Sequence, residues 1–159
     1  APNKRVDLAI KAFNQLKLPL KIAGRGQDEA YCRSIAQKNI EFFGTISNKK
    51  LLELYQNARA LVFPGEDDFG ITPLEAQACN TPVIAYASGG VLETVTNQTG
   101  IFFSEQKEEA LCEAVQEMER SWGNFSPEKF NKQTKLFRRE NYKEQMSAAI
   151  QNGFKDWKR

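Results

Sequence analysis

The sequence contains no histidine. That absence excludes the Ser-His-Asp and Cys-His nucleophile pairs, the His-Glu-x-x-His zinc site and the commonest acid–base side chain. Cysteine is scarce. Cys32, Cys79 and Cys112 are odd in number, far apart and form no Cys-x-x-Cys. They exclude a disulfide framework and point to buried thiols in a reducing, cytoplasmic compartment. No apolar run comes near the roughly 20 residues of a membrane helix; Pro-Val-Ile-Ala-Tyr-Ala, from Pro82, is typical. The opening Ala-Pro-Asn-Lys-Arg-Val-Asp is polar and shows no leader pattern. Membrane contact is therefore expected to be peripheral at most. The formal charge of +2 is too small to call for nucleic acid or a strongly acidic partner. What is present is 41% hydrophobic and 26% charged over 159 residues, enough for one folded domain with a core and unlike a disordered or fibrous chain.

Short apolar runs alternate with amphipathic patterns. Strands are expected at 20–23, 40–43, 60–63, 83–86 and 101–103. Helices are expected at 5–17, 28–38 (Tyr31 and Ile35 inward), 47–58, from Thr72, through 91–95 and at 107–120. Strands about twenty residues apart with a helix in each gap require parallel crossovers, which predicts a doubly wound α/β sheet. Its crevice lies at the carboxyl ends of the strands. From Ser126, with Pro127 at a first helical position, the pattern is purely helical. The chain divides accordingly into an α/β part, 1–125, and C-terminal helices, 126–159. A doubly wound domain starts with a strand, yet the first pattern here is a helix, so a first strand is expected to be missing.

The densest segment is Pro64 to Ala76. Thr72 and Glu75, with Pro73 between them, have the spacing of a capping box, which would make both structural. The same stretch, preceded by Phe69 and the side-chain-free Gly70, presents amides that an anion can approach. Glu66, Asp67 and Asp68 read as a solvated loop, a weak metal site, or acceptors for polyol hydroxyls. Gly24 and Gly26 make a tight strand-to-helix turn, but Glu29 stands where a dinucleotide fingerprint needs its third glycine. Lys4 and Arg5 are surface charge or a diphosphate clamp. Ser88-Gly89-Gly90 reads as a flexible turn.

Several of these pieces occur together and in order. They are Lys4-Arg5-Val6-Asp7, Gly24-x-Gly26, Phe42-Phe43-Gly44, Phe69-Gly70-Ile71-Thr72-Pro73-Leu74-Glu75-Ala76, Pro82-Val83-Ile84-Ala85 and Gly89-Gly90-x-x-Glu93. The sequence thereby resembles the C-terminal, donor-binding domain of a family-four retaining glycosyltransferase of the GT-B fold, a Rossmann-like domain. The wording around 71–103 is similar to the bacterial mannosyltransferase branch.

The resemblance implies a nucleotide-sugar donor, with GDP-mannose favoured. It implies no cofactor and no metal, and an acceptor glycan or lipid-linked saccharide held by a separate N-terminal domain, so that this part alone is inactive. It implies that Lys4 meets the donor diphosphate and that Glu75 holds the ribose diol. Asp67 takes the place of the family's first glutamate, one methylene shorter, and either Asp67 or Glu66 meets the donor sugar. Phe69, Gly70, Ile71 and Thr72 then face sugar and phosphate, Phe43 and Gly44 the base, and Gly24 and Gly26 the donor. The first strand would lie between 20–23 and 60–63. Without it the two half-sheets close on each other, another chain supplies a strand, or residues ahead of Ala1 supply it; a gap filled by none of these would contradict the argument from parallel order. A non-catalytic nucleotide-sugar-binding module and a dinucleotide-dependent oxidoreductase are the competing readings.

Overall fold

The first helix, α1 (Val6–Leu16), forms where apolar residues fall on one stripe: Leu8, Ala9, Ile10, Ala12 and Phe13 are buried. In the computed structural model, which describes residues 2–157 and side chains as far as Phe154, helices and strands then alternate. They are β1 (Leu20–Ala23), α2 (Glu29–Ile35), β2 (Ile40–Gly44), α3 (Asn48–Gln56), β3 (Leu61–Phe63), α4 (Ile71–Ala78), β4 (Val83–Tyr86), α5 (Val91–Thr94), β5 (Gly100–Phe103), α6 (Glu108–Ser121), α7 (Pro127–Leu136) and α8 (Arg139–Trp157). Ser47 starts α3 as expected, its hydroxyl accepting from the Lys50 amide at 3.3 Å.

All strand pairs are parallel. The period-two alternation of β4 splits the core into two layers. Ile84 packs with α1, α2 and α6 residues in one layer; Val83 and Ala85 pack with Tyr55 of α3, Ala76 of α4 and Val91 of α5 in the other. Helices thus cover both faces, and the doubly wound α/β class holds. Helix α7 is seated on α4, with buried Phe130 stacked on Phe125 at 6.3 Å.

Two expectations fail. Tyr31 is 51% exposed; Cys32, one position on, is the buried residue of α2. The sheet is also not continuous: β1 pairs only with β2, and β3, β4 and β5 form a separate sheet. Strands 20–23 and 61–63 have neither met nor been bridged among the described residues. A cavity of about 930 Å³ lies there, lined by Leu20 and Ile22 on one side and Val62 and Ile84 on the other. Helix α1 spans both half-sheets: it packs against α2 and β2 on one side and against α6, which covers β4 and β5, on the other.

Candidate functional site

The loops at the carboxyl ends of the strands form the crevice. Gly24 closes β1 with φ +110°, and its N–H donates to the Gly44 carbonyl at 2.7 Å. Gly44 itself has φ +62°, and both angles favour glycine. The Arg25 guanidinium lies over Gly44, where a side chain would meet it. The Gly26 carbonyl accepts from Glu29 N–H at 3.2 Å as α2 begins. Phe43 lies beneath the Lys50 ammonium, 5.9 Å from its ring centre.

The loop after β3 is held from two sides. On one side, Glu66 N–H donates to the Asn3 carbonyl at 3.3 Å, and Lys4 Nζ lies 2.5 Å from Asp67 Oδ2. The same ammonium stands 5.7 Å from the Phe63 ring centre. On the other side, Gly90 N–H donates to the Asp67 carbonyl at 2.9 Å. A Cβ at Gly90 would overlap the Asp68 and Phe69 backbone, and one at Gly89 the Asp67 carbonyl. These two glycines are therefore close-approach positions, not the flexible turn expected from sequence. Arg5 does not join Lys4; it pairs with Asp7 at 3.3 Å and donates to Gln106 at 3.1 Å.

The capping box does not form. Gly70, with φ +82°, is the N-cap of α4, and no side chain caps the helix. Its left-handed backbone turns the chain so that the helix begins at Ile71, two residues ahead of the Pro73 that a Thr72 cap would make first. Thr72 therefore sits inside the first turn, exposed, and Glu75 lies in the second. The first-turn amides of Ile71 and Thr72 have no intrahelical acceptor. Freed from capping, Glu75 accepts a hydrogen bond at Oε2 from Tyr55 Oη at 3.2 Å. Burial and the adjacent carboxylate push the Tyr55 phenol well above its ordinary range, and burial beside Glu75 also raises the Cys79 thiol.

Sequence reasoning missed Tyr55, a buried residue of α3. It also missed Gln77, fully buried, whose Nε2 ties the Pro73 carbonyl of α4 to the Thr94 carbonyl of α5 at 3.1 and 2.9 Å. A polar residue on the inward face of a short helix was the available signal.

Lys4, Gly24, Gly26 and Thr72 all line the large cavity, together with Arg5, Arg25 and Tyr55. Asp67, Gly70 and Glu75 are not among its lining residues; they stand on the segment that leads from β3 into α4. Phe43 and Gly44 stand at the end of β2. Phe69 and Ile71 are exposed, the Phe69 ring meeting Phe137 edge-on at 5.8 Å. Glu66 is exposed beside Gly89. Among the described residues no three His, Cys, Asp or Glu side chains are grouped to hold a metal ion. The arrangement can present one ammonium and two free helix amides to an anion, and a carboxylate to hydroxyls.

The family described as "Glycosyl transferases group 1" matches residues 1–137. A Corynebacterium glutamicum protein named GDP-mannose-dependent monoacylated alpha-(1-6)-phosphatidylinositol monomannoside mannosyltransferase is 32% identical over 133 residues, covering 74% of this chain and 35% of that one. Among solved structures, a sucrose-phosphate synthase from Thermosynechococcus elongatus superposes with a TM-score of 0.82 at 24% identity, over 98% of this chain and 44% of that one. HepE of Anabaena, solved in complex with UDP, superposes with a TM-score of 0.81 at 15% identity, over 96% of this chain and 46% of that one. The chain thus spans about a third of the mannosyltransferase's length and less than half of each solved chain.

Proposed function

The chain belongs to the group 1 glycosyl transferases, and from that premise we propose that it is the donor-binding part of a retaining enzyme that transfers mannose from GDP-mannose to a glycan or lipid-linked acceptor. The observation that carries this reading is the β3–α4 segment: α4 starts at Gly70 without a side-chain cap, Lys4 reaches this segment through Asp67, Glu75 is held by Tyr55, and Lys4, Thr72 and Tyr55 line one cavity. A nucleoside diphosphate offers the complementary groups, a doubly charged linkage for the amides and ammonium and a ribose diol for the carboxylate. The mannosyltransferase relative supports mannose and guanine, and the UDP-bound protein of the same fold supports a nucleotide ligand.

In the proposed reaction the bond from the anomeric carbon to the diphosphate breaks as positive charge develops on the sugar and negative charge on the departing phosphate, while an acceptor hydroxyl oxygen bonds the anomeric carbon on the same face and gives its proton to the departing phosphate. Lys4 and the amides of Ile71 and Thr72 stabilise the leaving group more than the intact donor, which is the condition for acceleration. We propose that this cationic environment replaces a metal. Asp67, paired with Lys4, or Glu66 lies toward the donor sugar. The acceptor would be held by a separate N-terminal domain. The free cysteines agree with a cytoplasmic setting, with peripheral membrane contact at most.

A thermal-shift panel of GDP-, UDP- and ADP-sugars against NAD tests the reading. GDP-mannose is expected to give the largest stabilisation, about 2.7 kcal/mol at a hundred times its dissociation constant. Absence of a shift with every nucleotide sugar at millimolar concentration overturns it.

A further inference from the structure

The hydrogen bond between Tyr55 and Glu75 joins two helices that sequence reasoning treated separately. The Tyr55 ring is 8% exposed and packs with Phe63 and Ala76 in the layer beneath α3 and α4. Its own carbonyl accepts from Thr81 Oγ1 at 2.6 Å, so backbone and ring are both anchored. The hydroxyl reaches Glu75 Oε2 at 3.2 Å, while Glu75 is exposed and its Oε1 meets no donor among the described residues. Tyr55, the partner of Glu75 in this bond, and Thr72, in the turn before it on α4, line the cavity, and Glu75 itself stands outside its lining.

We infer that Tyr55 is the positioning residue of this site: its buried hydroxyl fixes one oxygen of Glu75 and leaves the other aimed at the ligand's diol. The inference rests on the proposed binding role of Glu75 and adds a residue to it. An exposed glutamate samples many rotamers, and ordering it at the moment of binding costs affinity. A rigid donor on one oxygen removes part of that cost before the ligand arrives. The phenol suits the task because it is protonated at neutral pH and donates to the carboxylate, and burial and Glu75 itself favour that protonated form further. A purely structural bond would serve Tyr55 alone, by giving a buried hydroxyl its partner. The two roles differ in what removal of the hydroxyl does to a ligand that has a diol and to one that lacks it.

The test is calorimetric titration of GDP and of 2′,3′-dideoxy-GDP into the wild-type chain, Tyr55→Phe, Glu75→Gln and the double variant. Phenylalanine keeps the ring, and the ratio of the two affinities within one preparation is insensitive to any unfolded fraction. The expected result is that Tyr55→Phe weakens GDP by roughly five- to tenfold, the range of one lost hydrogen bond, and leaves dideoxy-GDP unchanged. In the Glu75→Gln background the same change is expected to alter GDP affinity less than twofold. An unchanged GDP affinity in Tyr55→Phe, with Glu75→Gln clearly weakened, overturns the inference and spares the role of Glu75. Equal weakening of both nucleotides by Tyr55→Phe also overturns it, in favour of a structural bond. A wild-type chain that binds the two nucleotides equally removes the role of Glu75 itself, and the inference with it.

Discussion

Lys4 Nζ and Asp67 Oδ2 lie 2.5 Å apart, joining the turn ahead of α1 to the loop after β3 across 63 positions of sequence. Their side chains are 40% and 36% exposed, so the pair contributes little to stability, about 0–1 kcal/mol. Its consequence is electrostatic. Asp67 offsets the charge of Lys4 until an anion arrives to compete for the ammonium.

Replacing Lys4 with alanine is therefore expected to weaken nucleoside diphosphate binding by about tenfold, one charge-assisted contact, while the melting temperature moves by only a few degrees. Calorimetry and a thermal melt on one preparation check both. The converse change, Asp67→Asn, frees the ammonium. It is expected to tighten plain GDP about two- to fivefold at low salt, by a fraction of a charge-assisted bond, and the gain is expected to shrink at 0.5 M salt through screening.

Gly90→Ala is expected to destabilise the fold by about 1–3 kcal/mol, the range for forcing atoms into a packed site. Its Cβ would meet the Asp68 carbonyl and the Phe69 backbone. Gly90 has φ −62°, so the cost is steric and not conformational. Urea unfolding measures it. Gly123→Ala, where nothing lies within 4 Å of the added carbon, is the control with no such loss.

Much of the fold was legible because its periodicities are clean. Residues 20–23 and 83–86 are strands with the expected limits, and the run Val83-Ile84-Ala85 is apolar throughout because helices cover both faces. Tyr31 was misplaced because α2 has only seven residues, too few for its inward stripe to be phased. The capping box was misread because its spacing is local, whereas the start of α4 is set by the left-handed backbone of Gly70. Tyr55 was illegible as a site residue because its partner stands 20 positions away on another helix. Spacing within α3 carries no record of that meeting. That the two half-sheets share the cover of α1 without pairing is equally tertiary.

The gap between β1 and β3 makes its own prediction. Pro2 lines the cavity, and among the described residues β1 and β3 each have one edge without a strand partner. A five-residue segment rich in valine and isoleucine, joined ahead of residue 1, has room to pair with both edges and to bury apolar surface. It is expected to raise the melting temperature by about 5 °C or more, which a gain of roughly 2 kcal/mol gives in a protein of this size. A Gly-Ser segment of equal length is expected to leave it unchanged. Equal melting temperatures for the two extensions would show that the gap does not accept a strand.

The central claim is that the crevice between β1 and α4 recognises a nucleotide sugar through Glu75. Titration of GDP-mannose into the wild-type chain and Glu75→Gln, followed calorimetrically, tests it most directly. No side chain caps α4, so the substitution is expected to leave the helix intact and to cost about 1.5–3 kcal/mol of binding, the worth of a charge-assisted hydrogen bond. The account predicts saturable binding by the wild type and at least a tenfold loss in the variant at unchanged melting temperature. Equal affinity in the two proteins, or no heat of binding in either at millimolar donor, would contradict it.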